Sequence, residues 1–356
     1  MSIVEETAVS VSPPLVSIVT PVYNNAEYLA ECIESVLSQT YHNWDYTIIN
    51  NCSTDDSGGI ARHYAAKDPR IRVHNNREFL RAVPNHNQAL RQISPGSKYC
   101  KIVFADDWIF PRCIEEMVAV AEEHPSVGVV GAYGLQEDEV VWEGLPYPSR
   151  LVSGREMCRR TFLEGIYVFG TSTSVLYRSD LVRSRNPFYN ETNFHADREA
   201  CVVLLKTCDF GFVHQILSFK RLAAQSLTAT LAMDLMTHFG CTLYTLMTHG
   251  PDFLTRKELE MCADRLLGEY YNFLAVSLLR GRRDKKFWEF HRKNLAETIG
   301  FSSLRLMGAV SSRLFKAALN PYKTLSKLRD TRAPAKYAAS GTGASSQSLG
   351  HSREFP

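Results

Sequence analysis

No stretch of this chain approaches the roughly 18 consecutive apolar residues that a membrane-spanning helix needs, so a crossing helix is not expected. The first fifteen residues, MSIVEETAVSVSPPL, hold neither a basic segment nor an apolar one, so the expectation is a cytoplasmic protein without a secretory leader. Nine cysteines are scattered without a CxxC pair, an even framework or interleaved histidines. That pattern argues against a zinc ribbon and against a disulfide-stapled secreted module, and leaves buried free thiols as the expected state. The segment Pro21-Val22-Tyr23-Asn24-Asn25 lacks the glycines of a phosphate-cradling loop, which speaks against a nucleotidyltransferase built around one.

What is present is the composition of an ordinary folded domain, 356 residues with 45% hydrophobic and 22% charged. A chain of that length can bury a substantial core in one domain plus an appendage, or in two domains. The net charge of +2 hides an asymmetry: residues 1–279 hold 24 basic against 33 acidic side chains, and residues 280–336 hold 15 against 4. The basic segment is therefore a separate feature from the acidic body.

The first half alternates short β-branched or aromatic runs with helical periodicity. Strands are expected at 16–20, 46–49, 71–73, 100–104 and 127–130. Between them, helices are expected over about 24–37, with Asn24 and Glu27 as a capping box, then 56–66, 85–92 and from Pro111 onward. A hairpin or loop near 137–142 leads into a Pro-rich stretch, and a capping box at Ser153 and Glu156 opens another helix. A helix near 198–205 and strands across 210–220 complete an α/β body with a mostly parallel sheet flanked by helices on both faces. The domain layout read from this is a flexible tail (1–13), the α/β body (14–228), a helical C-terminal region (229–332) that is basic from 280, and a disordered tail (333–356).

In such sheets, ligands bind beyond the carboxyl ends of the strands, and three of those ends are unusually polar. They are Pro21 to Asn25, then Asn50-Asn51-Cys52-Ser53-Thr54-Asp55-Asp56, then Ala105-Asp106-Asp107-Trp108. Adjacent carboxylates at Asp106 and Asp107 repel one another unless a cation or hydrogen-bond donors compensate; a turn or helix cap is the plain alternative.

The strings VSIVTPVYNN, NNCSTDDS, PNHNQAL and YCKIVFADDWIFP, in that order, resemble glycosyltransferase family 2 enzymes of the GT-A (Rossmann-like) fold over roughly Pro14 to Thr228. The resemblance implies an inverting, metal-dependent transferase that moves a sugar from a nucleoside-diphosphate sugar, a UDP-sugar favoured, to a hydroxyl of a glycan or lipid-linked acceptor. Pro21, Val22, Tyr23, Asn24, Asn50, Asn51, Ser53, Asn85 and Asp106 would line the nucleotide pocket. Asp107, with Asp106, would hold Mg2+ or Mn2+. Asp197, in the segment Asn193 to Glu199, would be the base, with Glu199 as its rival. Trp108, Thr171 and Ser172 would meet donor or acceptor sugar, with core packing or a plain turn as the alternative. The chain departs from the family's pattern at Asn50, Asn51 and Phe104, where aspartates are common. It also lacks a histidine after the last strand, so that contact is either absent or taken over by Arg221 or Gln225. A non-catalytic nucleotide- or glycan-binding scaffold on the same fold is therefore the alternative.

Residues 280–293, RGRRDKKFWEFHRK, and the Leu-, Met- and Phe-bearing basic segment that follows read either as interfacial helices on anionic lipid or as a solvated basic face. Peripheral contact with the inner face of the plasma membrane, through 280–330, and cell-surface polysaccharide, lipopolysaccharide or glycolipid assembly are the corresponding expectations. No nucleic-acid motif accompanies the basic patch, and none is expected to bind.

Overall fold

A computed structural model describes residues 12–221 and 234–319. The expected tail at 333–356, most of the N-terminal one, Gln225 and the body's boundary near 228 lie outside those residues.

The central strands are β1 (Val16–Val22), β2 (Trp44–Asn50), β3 (Ile71–Asn75), β4 (Tyr99–Ile102), β5 (Trp108–Ile109), β6 (Val127–Gln136), β9 (Leu176–Arg178) and β10 (Asp209–Lys220), with short β7 (Glu139–Val141) and β8 (Leu151–Val152) at the margin. Their spatial order is β3-β2-β1-β4-β9-β6-β10-β5. β1 is parallel to both β2 and β4, and β10 is parallel to β6, while β9 and β5 run the other way. The carboxyl ends of β1, β2, β3, β4, β6 and β10 therefore share one edge. The register places Val22 beside Asn50 and Asn50 beside Asn75, so three polar loops start side by side.

Alternation along β1 explains its two-sided burial. Val16, Ile18 and Val22 point into one apolar cluster, with Leu29, Cys32, Ile33 and Val36 of α1 (Ala26–Leu37) and Met117 of α4 (Cys113–Glu123). Val19 points into the other, with Ile49, Ile102 and Tyr177. Helices α2 (Ser57–Lys67), α3 (Ala82–Leu90), α5 (Gly154–Leu163), α6 (Ser179–Arg183) and α7 (Ala196–Leu204) complete the layers. The expected hairpin at 137–142 is the β6–β7 pair. All nine cysteines are free, and all but the half-buried Cys52 are buried.

After residue 234 the described chain is helical: α8 (His238–His249), α9 (Arg256–Leu279), α10 (Lys285–Thr298) and α11 (Ser303–Leu319). Thr255 and Glu258 form a full capping box that opens α9. These helices do not fold apart from the body. Leu246, Phe253, Leu254, Cys262 and Ala263 belong to the same core as the sheet. Arg159 of α5 pairs with Glu258 at 2.5 Å, and Arg265 donates to the carbonyls of Phe162 and Leu163. A second cluster, around Tyr270, Leu274, Phe287 and Leu295, holds α8 to α11 together.

Candidate active site

The first two polar loops are sewn together by their own side chains. Asn24 takes a left-handed backbone (φ 48°) and turns its carboxamide to the second loop, where Oδ1 accepts from the Thr54 N–H at 2.7 Å. The Asn24 N–H donates to Ser53 Oγ, that of Asn25 to Ser57 Oγ, and that of Ala26 to Asp55 Oδ2. The capping box expected at Asn24 and Glu27 is therefore not formed: α1 begins after Asn25, without a side-chain cap. Asn24 bridges two loops instead of closing a helix.

A chain of carboxamides runs on from there. Asn50 Nδ2 donates to Asn75 Oδ1, and Asn50 Oδ1 accepts from the Ser53 N–H. Asn51 is buried, and its amide is spent on the Leu80 backbone and on Asn76 Nδ2, which also reaches Asn85 Oδ1. Asn76 Oδ1 is left buried without a partner. Of the residues expected to line the nucleotide pocket, Tyr23 and Asn24 are exposed, while Asn50, Ser53 and Asp106 are partly so. The side chains of Pro21, Val22, Asn51 and Asn85 are buried, so what they offer is the shape of the loops rather than a contact surface. Phe79, absent from the expected set, packs its ring 4.7 Å from that of Tyr23, and both are exposed. The signal for it was an aromatic residue stranded in the polar run NNREFLRA.

Asp106 and Asp107 follow β4 in a tight turn. Asp107 is buried; its Oδ2 accepts from Thr173 Oγ1 at 2.7 Å and its Oδ1 from the Arg221 N–H at 3.1 Å. Burial, then the charge of Asp106, push the Asp107 carboxyl up to about 7 despite those donors. Asp106 is also raised, by burial. Thr173 sits in a single helical turn, Ser172–Ser174, that Lys101 clamps from below: Nζ donates to the carbonyls of Thr173 at 2.6 Å and Val175 at 3.2 Å. Lys101 thus neither meets a phosphate nor points to solvent. It is fully buried, and burial lowers its pKa. Ser172 is buried and shares a hydrogen bond with Tyr189 OH, so its hydroxyl, like that of Thr173, is engaged in holding the turn, and Thr171 remains the partly exposed member.

Phe104, where the family pattern often has an aspartate, packs against His86 with the rings tilted by 38° and their centroids 4.8 Å apart, and burial holds His86 down to about 4, hence neutral. Asn87 holds both the N–H and the carbonyl of Tyr189. Asn85 lies inside α3, which starts three residues earlier than the sequence pattern suggested.

Asp197 and Glu199 both lie in the first turn of α7, but their surroundings differ. Burial raises Glu199, yet bonds from His249, Asn193 and Asn190 outweigh it and bring the net pKa below the usual range. Glu199 is committed to that network. Asp197 is partly exposed and accepts only the Arg198 N–H among the described contacts, and burial raises its pKa. The charge of Lys220, at the carboxyl end of β10, lowers the pKa of Asp106, Asp107 and Asp197 alike. Arg221 is tied to Glu31 at 2.6 Å and lies over the Tyr28 ring. Trp108 stacks on Phe219 at 4.9 Å, so packing accounts for it. His214 is held by Tyr133 OH and the Ser149 carbonyl, a structural histidine.

Against known proteins, the model of the Glycosyl transferase family 2 matches residues 17–184. Residues 17–184 belong to that family. The EpsE protein of Bacillus subtilis is 35% identical over 159 residues, 43% of this chain and 56% of EpsE, so the match spans little more than half of that relative. The family 2 domain also shares its fold with two solved structures. S. aureus TarS 1–349 in complex with UDP-GlcNAc superposes with a TM-score of 0.60 at 15% identity, over 80% of each chain. The mannosyltransferase PcManGT of Pyrobaculum calidifontis, in complex with GDP-Man and Mn2+, gives 0.50 at 14% identity over 89% of this chain and 84% of its own. The matched range holds the loops of β1, β2 and β4 and the turn at 172–174; Asp197 and Lys220 lie beyond it.

Among the described residues no three His, Cys, Asp or Glu side chains converge on a point. The Asp106–Asp107 pair still fits a hard divalent ion, because Mg2+ and Mn2+ bind through one or two carboxylates and take their other oxygens from phosphate and water. Burial first, and the Asp106 charge second, raise the Asp107 carboxyl, and a bound cation would offset that cost.

Proposed function

We propose that this protein transfers a sugar from a nucleoside-diphosphate sugar to a hydroxyl acceptor with inversion of configuration, and that a UDP-sugar is its donor. The observation that carries this reading is the disposition of three carboxylates of unlike character at one sheet edge. Asp106 and Asp107 are adjacent carboxylates, both raised first by burial, and Asp197 is a partly exposed carboxylate with a raised pKa and no described ion-pair partner. Asp197 accepts the proton of the acceptor hydroxyl as that oxygen attacks the anomeric carbon; a carboxyl whose pKa is raised is a better base than one in the ordinary range. The bond from the anomeric carbon to the diphosphate oxygen breaks with its electrons on the leaving group. Asp106 and Asp107 would hold the divalent ion, which supplies charge stabilisation to the leaving diphosphate. Lys220 adds a protein cation to the same region, and Tyr23 and Phe79 offer ring faces for the base.

The acceptor is a glycan or a lipid-linked hydroxyl compound, in cell-surface polysaccharide, lipopolysaccharide or glycolipid assembly. The carboxamide of Asn50, which is partly exposed, can both donate and accept, so base selection falls to it. Calorimetric titration with UDP, GDP, dTDP and CMP, each with and without Mn2+, tests the donor half. Selective binding of UDP that Mn2+ strengthens is expected; binding of none of the four by the folded protein would contradict the reading.

A further inference from the structure

The last described helix carries apolar residues on two opposite sides. Leu306, Ala309 and Val310 of α11 pack on the cluster around Tyr270, Tyr271 and Leu274. Leu304, Met307, Leu314, Phe315 and Leu319 fall on a second stripe at helical spacing and face solvent, with Leu304 86%, Phe315 65% and Leu319 70% exposed. Arg305 and Lys316 flank that stripe on the exposed side. Among the described residues nothing covers it.

The stripe continues into the cationic segment. Arg305 pairs with Asp264 and Arg313 bonds to Asn272, a constant offset of 41 residues, so α11 runs parallel to α9. The same offset brings Leu319 level with Leu278, which is exposed together with Leu279. There the chain enters Arg280-Gly281-Arg282-Arg283, followed by Lys285 and Lys286. Residues 280–319 hold 10 basic against 3 acidic side chains, a net of +7.

We infer that this face docks on an anionic lipid bilayer. Large apolar side chains flanked by ammonium and guanidinium groups need a partner with hydrocarbon and negative charge in adjacent layers, and the headgroup boundary of an anionic membrane has both. A second copy of the chain would cover the apolar stripe but would set one strongly cationic surface against another. A nucleic acid would meet the charge and leave Leu304, Phe315 and Leu319 in water. The surface is independent of the transfer chemistry.

The test is co-sedimentation of the full chain with vesicles of phosphatidylglycerol and phosphatidylcholine against vesicles of phosphatidylcholine alone. Binding to the anionic vesicles is expected to be at least about tenfold stronger and to weaken as salt rises to about 0.5 M. Leu304→Ser/Phe315→Ser/Leu319→Ser and, separately, Arg280→Glu/Arg283→Glu/Lys286→Glu are each expected to lose at least about tenfold of that binding. All these positions are exposed, so circular dichroism and nucleotide titration should match the parent. Equal binding to both vesicle types, no binding, or unchanged binding by the serine variant would overturn the proposal. So would a dimer that the serine variant dissolves in a protein that ignores vesicles, since the face would then belong to a second copy.

Discussion

Asp107 brings burial, a like-charged neighbour and two hydrogen-bond donors to one carboxyl, and the first two prevail, leaving it at about 7. Its folded-state pKa lies above the unfolded value, so in metal-free protein the native state keeps this proton between roughly pH 4 and 7 while the unfolded chain releases it. The corresponding stability is present below pH 4 and is lost as pH rises toward 7. Asp107→Asn, which has no charge to bury, is therefore expected to gain on the parent across that window: urea denaturation in EDTA should show the difference in midpoint growing from pH 4 to pH 7 in favour of the variant. On the metal role proposed for Asp107, the same substitution should also abolish the strengthening of nucleotide binding by Mn2+, read by calorimetric titration. A parent and variant with parallel pH profiles would contradict the burial argument. The aspartate pair stood out in the string FADDW only together with the other polar strand ends, because two adjacent acids at a turn or helix cap are ordinary by themselves. Lys101 was not legible: a lysine on a strand reads as solvent-facing or ligand-facing, and only the packed structure reveals two orphan carbonyls for it to satisfy.

Among the elements, the short turn at 172–174 ties most parts of the site to one another. It joins β4 through Lys101, the acidic loop through Thr173 and the 188–191 loop through Ser172. Thr173→Val keeps the shape and removes the hydroxyl that serves both Asp107 and the Phe104 N–H. Leaving those groups without that partner should cost about 1–3 kcal/mol in urea denaturation. Asp107 should titrate higher still, shifting the pH dependence of the metal-free protein upward. A stability loss well under that range would mean that Lys101 and the Ser172–Tyr189 bond hold the turn without Thr173. The strands and most helices were readable because a buried parallel sheet demands β-branched runs, and amphipathic helices mark their faces with a 3.6-residue period. Helix starts were read less well for a local reason. Asn24 looks like a cap because carboxamides cap helices, but here a left-handed backbone hands it to Thr54 in a loop 30 residues away, a tertiary partner that no local pattern announces.

Over the whole molecule, an acidic α/β body presents its polar edge where the carboxyl ends of six strands gather, and the helices after residue 234 are fused to that body through a shared core rather than hung from it. The charge asymmetry between body and C-terminal region was legible from counting alone; the shared core was not, because it depends on α5 meeting α9 through Arg159, Glu258 and Arg265. The central claim is that one edge holds both a donor site and a base, with Asp197 as that base. The measurement that tests it most directly is transfer or hydrolysis of the donor that the nucleotide panel selects, compared between the parent and Asp197→Asn with donor binding measured on the same samples. The account predicts donor affinity within about twofold of the parent and a loss of turnover of about 100-fold or more, the scale of a missing general base. A variant that binds and turns over like the parent would contradict the assignment of the base, and a parent that binds the donor with Mn2+ but never cleaves it would leave a non-catalytic binding protein on a transferase fold.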